Sequence, residues 1–350
     1  MSTLPSSIPL WGQAWELTVY TANGGKAVIT ASAWEPEALR MTFEVLQTTI
    51  PSPYWFADIG VYNATEQTMQ NALFNATWVT LKAGFQTAAQ LYSIIWDGPV
   101  LQTIYTRENV VDQKVSLHCV ANPLTQNQIV NYSLGAYSTQ AQMVQRMAEE
   151  VNGAGSSKTQ FHVRMSDLAQ RQADAVQFPR GNTVFGMPNK YLSEIADSQH
   201  MLKWLDGNSA YITELDAGIA TPVPSLIYSP PLPLDYNGPM PPADVNLSLI
   251  DTPRQFPQGC IFNVLLDPRL QVQLPPICVQ LQRTLIVQEP ITPGQGYVSP
   301  LGNDLLFFVG QVRHTGDTRG NDWQTEVTAY TTTYASSLLN GAFQADSGDA

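Results

Sequence analysis

A chain of 350 residues has room for two or three domains, and a 44 % hydrophobic content lets it bury real cores, which excludes wholesale disorder. Charged residues make up only 13 % of the chain, about half the usual share of roughly 25 %, as suits a surface largely covered by neighbours. Lys and Arg number 17 against 29 Asp and Glu, a formal net charge of −12, so the concentrated positive charge needed to clamp phosphates is missing and sequence-specific nucleic-acid binding is not expected.

The first third has the period of two that marks strands with one buried face. Trp15, Leu17 and Val19 alternate, Asn23-Gly24-Gly25 offers a hairpin turn, and Val28 and Ile29 begin the return strand. Leu39, Met41, Phe43 and Val45 alternate with polar residues, and so do Ala57, Ile59 and Val61 after the Pro51-Ser52-Pro53 break. Thr65 is placed to cap a short helix over Glu66 to Phe74. Further strands are predicted near residues 78–81, 92–96, 100–105 and 114–120.

The middle third changes period. Thr139 with Gln142 is a capping-box signature, followed by Met143, Val144, Met147, Ala148 and Val151 at helical spacing and a stop at Gly153-Ala154-Gly155. Two more helices are predicted over 167–176 and 189–201. Asp206-Gly207-Asn208 reads as a hairpin turn between strands at 203–205 and 210–213. Residues 221–244 hold eight prolines, from Pro222 to Pro242, and read as an extended connector outside any core. Strand patterning returns at 246–250, 260–265, 277–282, 305–312 and 326–330, and the small polar tail is expected to fray.

Other signals bound the chemistry. Cys119, Cys260 and Cys278 form no CxxC pair, so no disulfide framework or metal site is expected, and they read as small buried hydrophobes in a reduced cytoplasm. The first residues show neither a basic nor an apolar signal region, and no apolar run approaches the ~18 residues of a membrane span. The four histidines, His118, His162, His200 and His314, lack zinc spacing, and no phosphate loop, dinucleotide fingerprint or nucleophile elbow is present. Glu149 and Glu150 are neighbours on a helix; they point about 100° apart and read as a solvated face. His314-Thr315-Gly316-Asp317-Thr318-Arg319-Gly320 reads as a hairpin connection whose glycines allow positive φ, with Trp323 as a packing anchor. No catalytic, cofactor-binding or metal-ligating residue is assigned. Pro53, Tyr54, Trp55 and Phe56 are the candidate interface loop, because bulky apolar residues sit beside prolines outside clean alternation.

Five blocks in order resemble one family. "LRMTFEVLQTTIPSPYWFADIGVYNAT", with Phe43, Val45, Ala57, Ile59, Val61, Tyr62, Asn63 and Thr65, is similar to the N-terminal signature of baseplate central hub proteins of contractile-tailed bacteriophages. "LKAGFQTAAQLYSIIWDGPVLQTIYTREN" resembles the family's next stretch through Ala83, Gly84, Phe85, Ile95, Gly98 and Arg107, with Trp96-Asp97-Gly98 where an aromatic-Gly pair is usual. "GNTVFGMPNKYLSEIADSQHMLKWLDGNSAYIT" resembles the middle domain, and "IDTPRQFPQGCIFNVLLDPRLQVQLPPICVQL" the opening of a second barrel, with Asp251 where glycine is common. "VGQVRHTGDTRGNDWQTEVTAY" resembles the closing strand pair, through His314, Gly316, Asp317, Gly320, Trp323 and Thr325.

The resemblance spans about residues 10–335 and implies a mainly β fold with an α+β insert. A first tube-like antiparallel β-barrel domain would cover 1–122, an α+β middle domain 123–220, the proline-rich connector 221–244, a second tube-like barrel 245–340 and a flexible tail 341–350. It implies a non-enzymatic homotrimer in the virion tail baseplate, assembled in the host cytoplasm. Its pseudo-sixfold ring would join a sixfold tail tube to a threefold spike. Implied partners are the tail tube protein, spike protein, tape measure protein and baseplate wedge proteins, with DNA passing through the channel. An acidic channel suits passage of DNA because like charges repel, although acidity also serves solubility alone. The alternatives are a tail-associated cell-wall hydrolase and a carbohydrate-binding tail-tip protein.

Overall fold

The computed structural model describes residues 12–32, 35, 38–48, 54–85, 91–109, 111–121, 128–153, 160–199, 201–206, 209–214, 225–232, 245–256, 258–272, 277–282, 284, 287–288 and 306–331. The first β region follows the alternation. Strand β1 (Gln13–Thr21) turns through Gly24, at φ +77°, into its antiparallel partner β2 (Lys26–Ser32). β3 (Met41–Thr48) and β4 (Tyr54–Tyr62) pair in register from Met41↔Val61 to Thr48↔Tyr54. The Thr65 hydroxyl accepts the Thr68 N–H at 3.2 Å and caps α1, which is shorter than predicted (Glu66–Asn71) and gives way to a 3-10 turn at Leu73–Asn75. β5 (Ala76–Phe85), β6 (Tyr92–Arg107) and β7 (Gln113–Val120) complete the region. The two strands predicted around Pro99 are one. Pro99 stands where β6 leaves β5 for β7, and such a hand-over tolerates a residue without an N–H.

The middle region comprises β8 (Val130–Leu134), β9 (Ser138–Thr139), α2 (Gln140–Asn152), β10 (His162–Met165) and α3 (Asp167–Ala175), then β11 (Gln177–Phe178), β12 (Asn182–Gly186), α4 (Pro188–Ser198), β13 (Met201–Asp206) and β14 (Ser209–Glu214). The predicted capping box closes α2 at both bonds: Gln142 N–H to Thr139 Oγ1 and Thr139 N–H to Gln142 Oε1. Pro188 starts α4, where a missing N–H costs nothing. Met201, predicted as the last helical residue, opens β13 instead, and the β13–β14 hairpin forms in register from Met201↔Glu214 to Asp206↔Ser209. The helices bury Met143, Met147, Leu192 and Ile195 against Val184, Ala210 and Ile212, a core separate from that of the β regions.

The second β region comprises β15 (Leu226–Tyr228), β16 (Val245–Asn246), β17 (Arg254–Phe256), β18 (Gly259–Leu265), β19 (Cys278–Leu281), β20 (Val287–Gln288), β21 (Leu306–Asp317) and β22 (Trp323–Thr331). β15 corrects the reading of the connector. Between Pro224 and Pro230 the three residues keep their N–H groups, pair in parallel with β16 and β19, and bury Tyr228 completely.

The two β regions form one 15-stranded sheet, whose main path runs β2-β1-β5-β6-β7-β4-β3-β21-β22-β18-β17-β20. They join where β3 pairs antiparallel with β21, from Thr42↔Asp317 to Thr48↔Gln311. The expected pair of closed barrels is not seen among the described residues. The edges of β3 and β21, which would otherwise leave N–H and C=O groups unpaired, satisfy each other across the chain. One hydrophobic core runs beneath both regions, from Trp15, Leu17 and Ile59 to Phe262, Val312 and Val327. Each such side chain contributes about 1.5–3 kcal/mol by leaving water.

Candidate functional site: the seam between the β regions

The seam is dense with directed contacts. Arg40 grips Asp317 through Nε to Oδ1 at 3.2 Å and Nη2 to Oδ2 at 2.8 Å. The Met41 N–H donates to Thr318 Oγ1 at 2.9 Å, and Arg319 Nη2 donates to the Ala38 carbonyl at 2.6 Å. Arg313 Nε donates to Glu44 at 2.9 Å one strand away. The buried Gln47 amide bridges the regions, accepting from the Val272 N–H at 3.1 Å and donating to the Ile95 carbonyl at 3.4 Å. Beneath these, the Phe43 and Trp323 rings meet edge to face with centroids 5.3 Å apart. Hydrogen bonds to charged groups are among the stronger ones, and the seam has them on both sides of a packed aromatic pair.

A buried polar network anchors β15 and β16 beside the seam. The Asp267 carboxylate accepts from Tyr228 Oη at 2.7 Å and from Arg269 Nε and Nη2 at 2.9 and 2.6 Å. Arg269 also donates to Asn246 Oδ1 at 2.8 Å, and the Asp267 N–H donates to Thr325 Oγ1 at 3.1 Å. Thr325 Oγ1 is in turn 2.9 Å from His314 Nδ1 on the adjacent strand. His314 is fully buried, and burial pushes its pKa down to about 4, against smaller opposing effects of Asp267 and the Leu270 backbone. Burial likewise raises the Tyr228 hydroxyl well above its ordinary value. The network ties β15 and β16 through Asp267 and Arg269 to the β21–β22 pair.

The residues singled out in the sequence fall as follows. Pro53 lies outside the described residues, whereas Tyr54 to Phe56 begin β4 and are not a loop. Trp55 is 7 % exposed in the core, because its register opposite Gln47 turns the indole inward, and Phe56 is half-buried. The His314–Gly320 stretch is the end of β21 and its turn, with Trp323 as the packing anchor. Neither Gly316 nor Gly320 has positive φ, so the reason for glycine at 316 is steric: a Cβ there would overlap the Phe43 ring. Glu149 and Glu150 both pair with Arg146, at 3.1 and 2.7 Å. All three cysteines are buried free thiols whose pKa values burial raises, Cys278 to about 11. Among the described residues no group of His, Cys, Asp or Glu is arranged to hold a metal ion, and no helix is long and apolar enough to cross a membrane.

Two features escaped the sequence reading. Lys203 is mostly buried in the middle region, donating to Asn189 Oδ1 at 2.7 Å and Ser193 Oγ at 2.6 Å, and burial lowers its pKa to about 8. The far half of β6 leaves large apolar side chains in water: Leu101, at the bulge after Val100, is 55 % exposed, and Tyr105, 46 % exposed, meets the Phe74 ring edge to face. Exposed apolar clusters of this kind mark contact surfaces. Near them the outer face of the sheet is polar, with His118 and Asp58 facing each other at 3.5 Å across β7 and β4.

Among solved structures, the fold matches the tail protein from Neisseria meningitidis MC58, with a TM-score of 0.50 at 10 % identity over 93 % of this chain and 99 % of that one. The chain has the fold of a tail protein. The 43 kDa tail protein of prophage MuSo2 from Shewanella oneidensis follows with a TM-score of 0.48, 8 % identity, and coverage of 91 % and 99 %. The c3393 protein of E. coli, described as a type VI secretion component with structural similarity to the T4 bacteriophage tail proteins gp27 and gp5, aligns with a TM-score of 0.41 at 10 % identity, over 85 % of this chain and 75 % of that one. No family model and no curated protein matches the chain.

Proposed function

We propose that this chain is a structural subunit of a phage tail baseplate hub, working by assembly and symmetry matching with no chemical step of its own. The observation that carries the reading is the β3–β21 seam. It fixes two β modules side by side in one chain through paired backbones, a shared core and the Arg40–Asp317 and Gln47 contacts. Three copies of such a rigid pair make a ring of six similar modules, which adapts a sixfold tube to a threefold spike. The tail-protein fold, shared over nearly the whole length of both chains, supports the same reading.

In this ring the exposed Tyr105–Phe74 pair, with Leu101 on the same strand as Tyr105, meets a neighbouring copy, where burial of large side chains stabilises the contact. Tail tube, spike, tape measure and wedge proteins are the partners, and the virion tail is the location. The net charge of −12 suits a channel that passes DNA without holding it. The mass of the purified protein, by light scattering, tests the reading. A stable species near three times 38.5 kDa is expected. A strict monomer, both alone and with its cognate spike and tube proteins, would sink it.

A further inference from the structure

The middle region carries a cleft that the hub reading does not use. It has a volume of about 390 Å³ and lies between α2, α3 and β10. β10 ends its three-stranded sheet, pairing with β14 on one side and with no other described strand. Phe161, His162 and Val163 are consecutive, and all three line the cleft. Successive side chains of a strand point to opposite faces, so a cavity lined by both His162 and Val163 of β10 runs along the strand's edge and not over one face. The Asn152 side chain already takes the N–H and C=O of Phe161, so the edge of β10 opens into the cleft only beyond it, at Val163 and Met165.

The walls are mixed, with the amides of Gln142, Gln145, Asn152 and Gln170 beside the apolar and acidic groups. Val144 and Ala148 of α2 and Val163 and Met165 of β10 supply apolar surface. Glu149 of α2 and Asp174 of α3 supply carboxylates on opposite rims. Arg146 engages Glu149, whereas Asp174 is exposed and, among the described residues, accepts a neutral amide donor from Gln170, at 3.2 Å. A strand edge flanked by Val163, Met165 and Ala148, with carboxylates from α2 and α3, matches an extended polypeptide with basic side chains spaced by small apolar ones.

We propose that this cleft binds an extended basic segment of a partner protein, which adds to β10 as a further strand beneath α2. Alternate side chains of the segment pack against Ala148, Val163 and Met165, and its lysines or arginines meet Asp174 and Glu149. The proposal does not depend on the hub reading and stands or falls by itself.

The test uses the full chain and a fluorescein-labelled decapeptide of alternating Lys and Val, with a Glu-Val peptide as control, at near-physiological salt. Anisotropy should show saturable binding of the Lys peptide alone, and hydrogen exchange should show new protection at residues 161–165. Glu149→Lys combined with Asp174→Lys should weaken binding at least roughly tenfold, whereas Glu194→Lys on the exposed side of α4 should leave it unchanged. Absence of saturable binding would overturn the proposal. So would equal weakening by all the charge variants, which reports general attraction to an acidic chain, or protection confined to other segments. Protection of 161–165 that rises with protein concentration and no peptide would assign the cleft to a second copy and also overturn it. If the double variant fails to fold, Ala148→Phe fills the cleft in its place, and unchanged binding by that folded variant would contradict the proposal.

Discussion

Arg40 and Asp317 are 277 positions apart in the chain, yet the guanidinium holds both oxygens of the carboxylate in one bidentate contact. The pair sits at the end of the β3–β21 ladder, where Thr42 faces Asp317. Arg40 also lies over the Tyr62 ring at 4.6 Å, so it ties β4 and the turn after β21 to the same point. The contact closes the seam at the end where the two strands would otherwise splay.

Arg40→Ala should lower stability by about 1 kcal/mol at neutral pH, a modest figure because the arginine is partly in water. Burial works against ionisation of Asp317, but its bonds to Arg40 and to the Arg319 and Gly320 N–H groups outweigh that, and its pKa falls below the ordinary carboxylate range. A depressed carboxylate pKa contributes stability above the unfolded value, and that stability disappears as pH falls through the folded one. Urea titrations should therefore show wild type and variant converging in strong acid. A difference that persists undiminished there would show that Arg40 acts through the Tyr62 contact alone.

Asp267→Ala should be far more costly. It leaves the buried Tyr228 hydroxyl and the partly exposed Arg269 without their principal acceptor. Breaking a fully buried charge pair from one side costs about 3–5 kcal/mol; with Arg269 28 % exposed and still bonded to Asn246 the loss should fall toward the lower end of that range, whereas Tyr228→Phe, which removes a single hydroxyl, costs about 1 kcal/mol. Thermal unfolding should rank the two in that order, and equal effects would mean that the pair is looser than its distances indicate.

His314 makes the fold sensitive to mild acid. Its ordinary pKa of 6.5 falls to about 4 when folded. Between those values the unfolded chain binds a proton that the folded chain refuses, so stability drops as pH falls from 6.5 toward 4 and levels off below. The loss amounts to about 3 kcal/mol in full. His314→Leu should flatten the part of the stability–pH curve between these limits, whatever its effect at neutral pH. A curve with the same slope there would place the sensitivity on other groups.

Gly316→Ala should destabilise by about 1–3 kcal/mol, since the added methyl overlaps a Phe43 ring already fixed against Trp323. Phe43→Leu in the same chain should recover part of the loss by making room. If the double variant is no better than the sum of the single ones, the clash is not with Phe43.

What could be read from the sequence was what depends on near neighbours. The Thr139–Gln142 box, the Thr65 cap and the alternation of Trp15, Leu17 and Val19 involve residues within a turn or a few strand positions of one another, and each appears in the fold as read. The seam was not legible, because nothing local to Thr48 specifies Gln311 as its partner. Tyr228 was hidden by its flanking prolines, which mark an extended path but not what lies against it. Trp55 shares the parity of Ala57, Ile59 and Val61, but apolar Tyr54 and Phe56 on either side hide that alternation, and only the pairing of β4 with β3 shows the residue buried. The polar network around Asp267 joins residues from Tyr228 to Thr325, and only the folded chain brings them together.

Electron microscopy of the purified protein, averaged over single particles, tests the central claim most directly. The account predicts rings of three copies with an open axial channel and six similar lobes, each chain supplying two lobes joined at the β3–β21 seam. Particles without a channel, or rings whose copy number gives no route from threefold to sixfold symmetry, would contradict it.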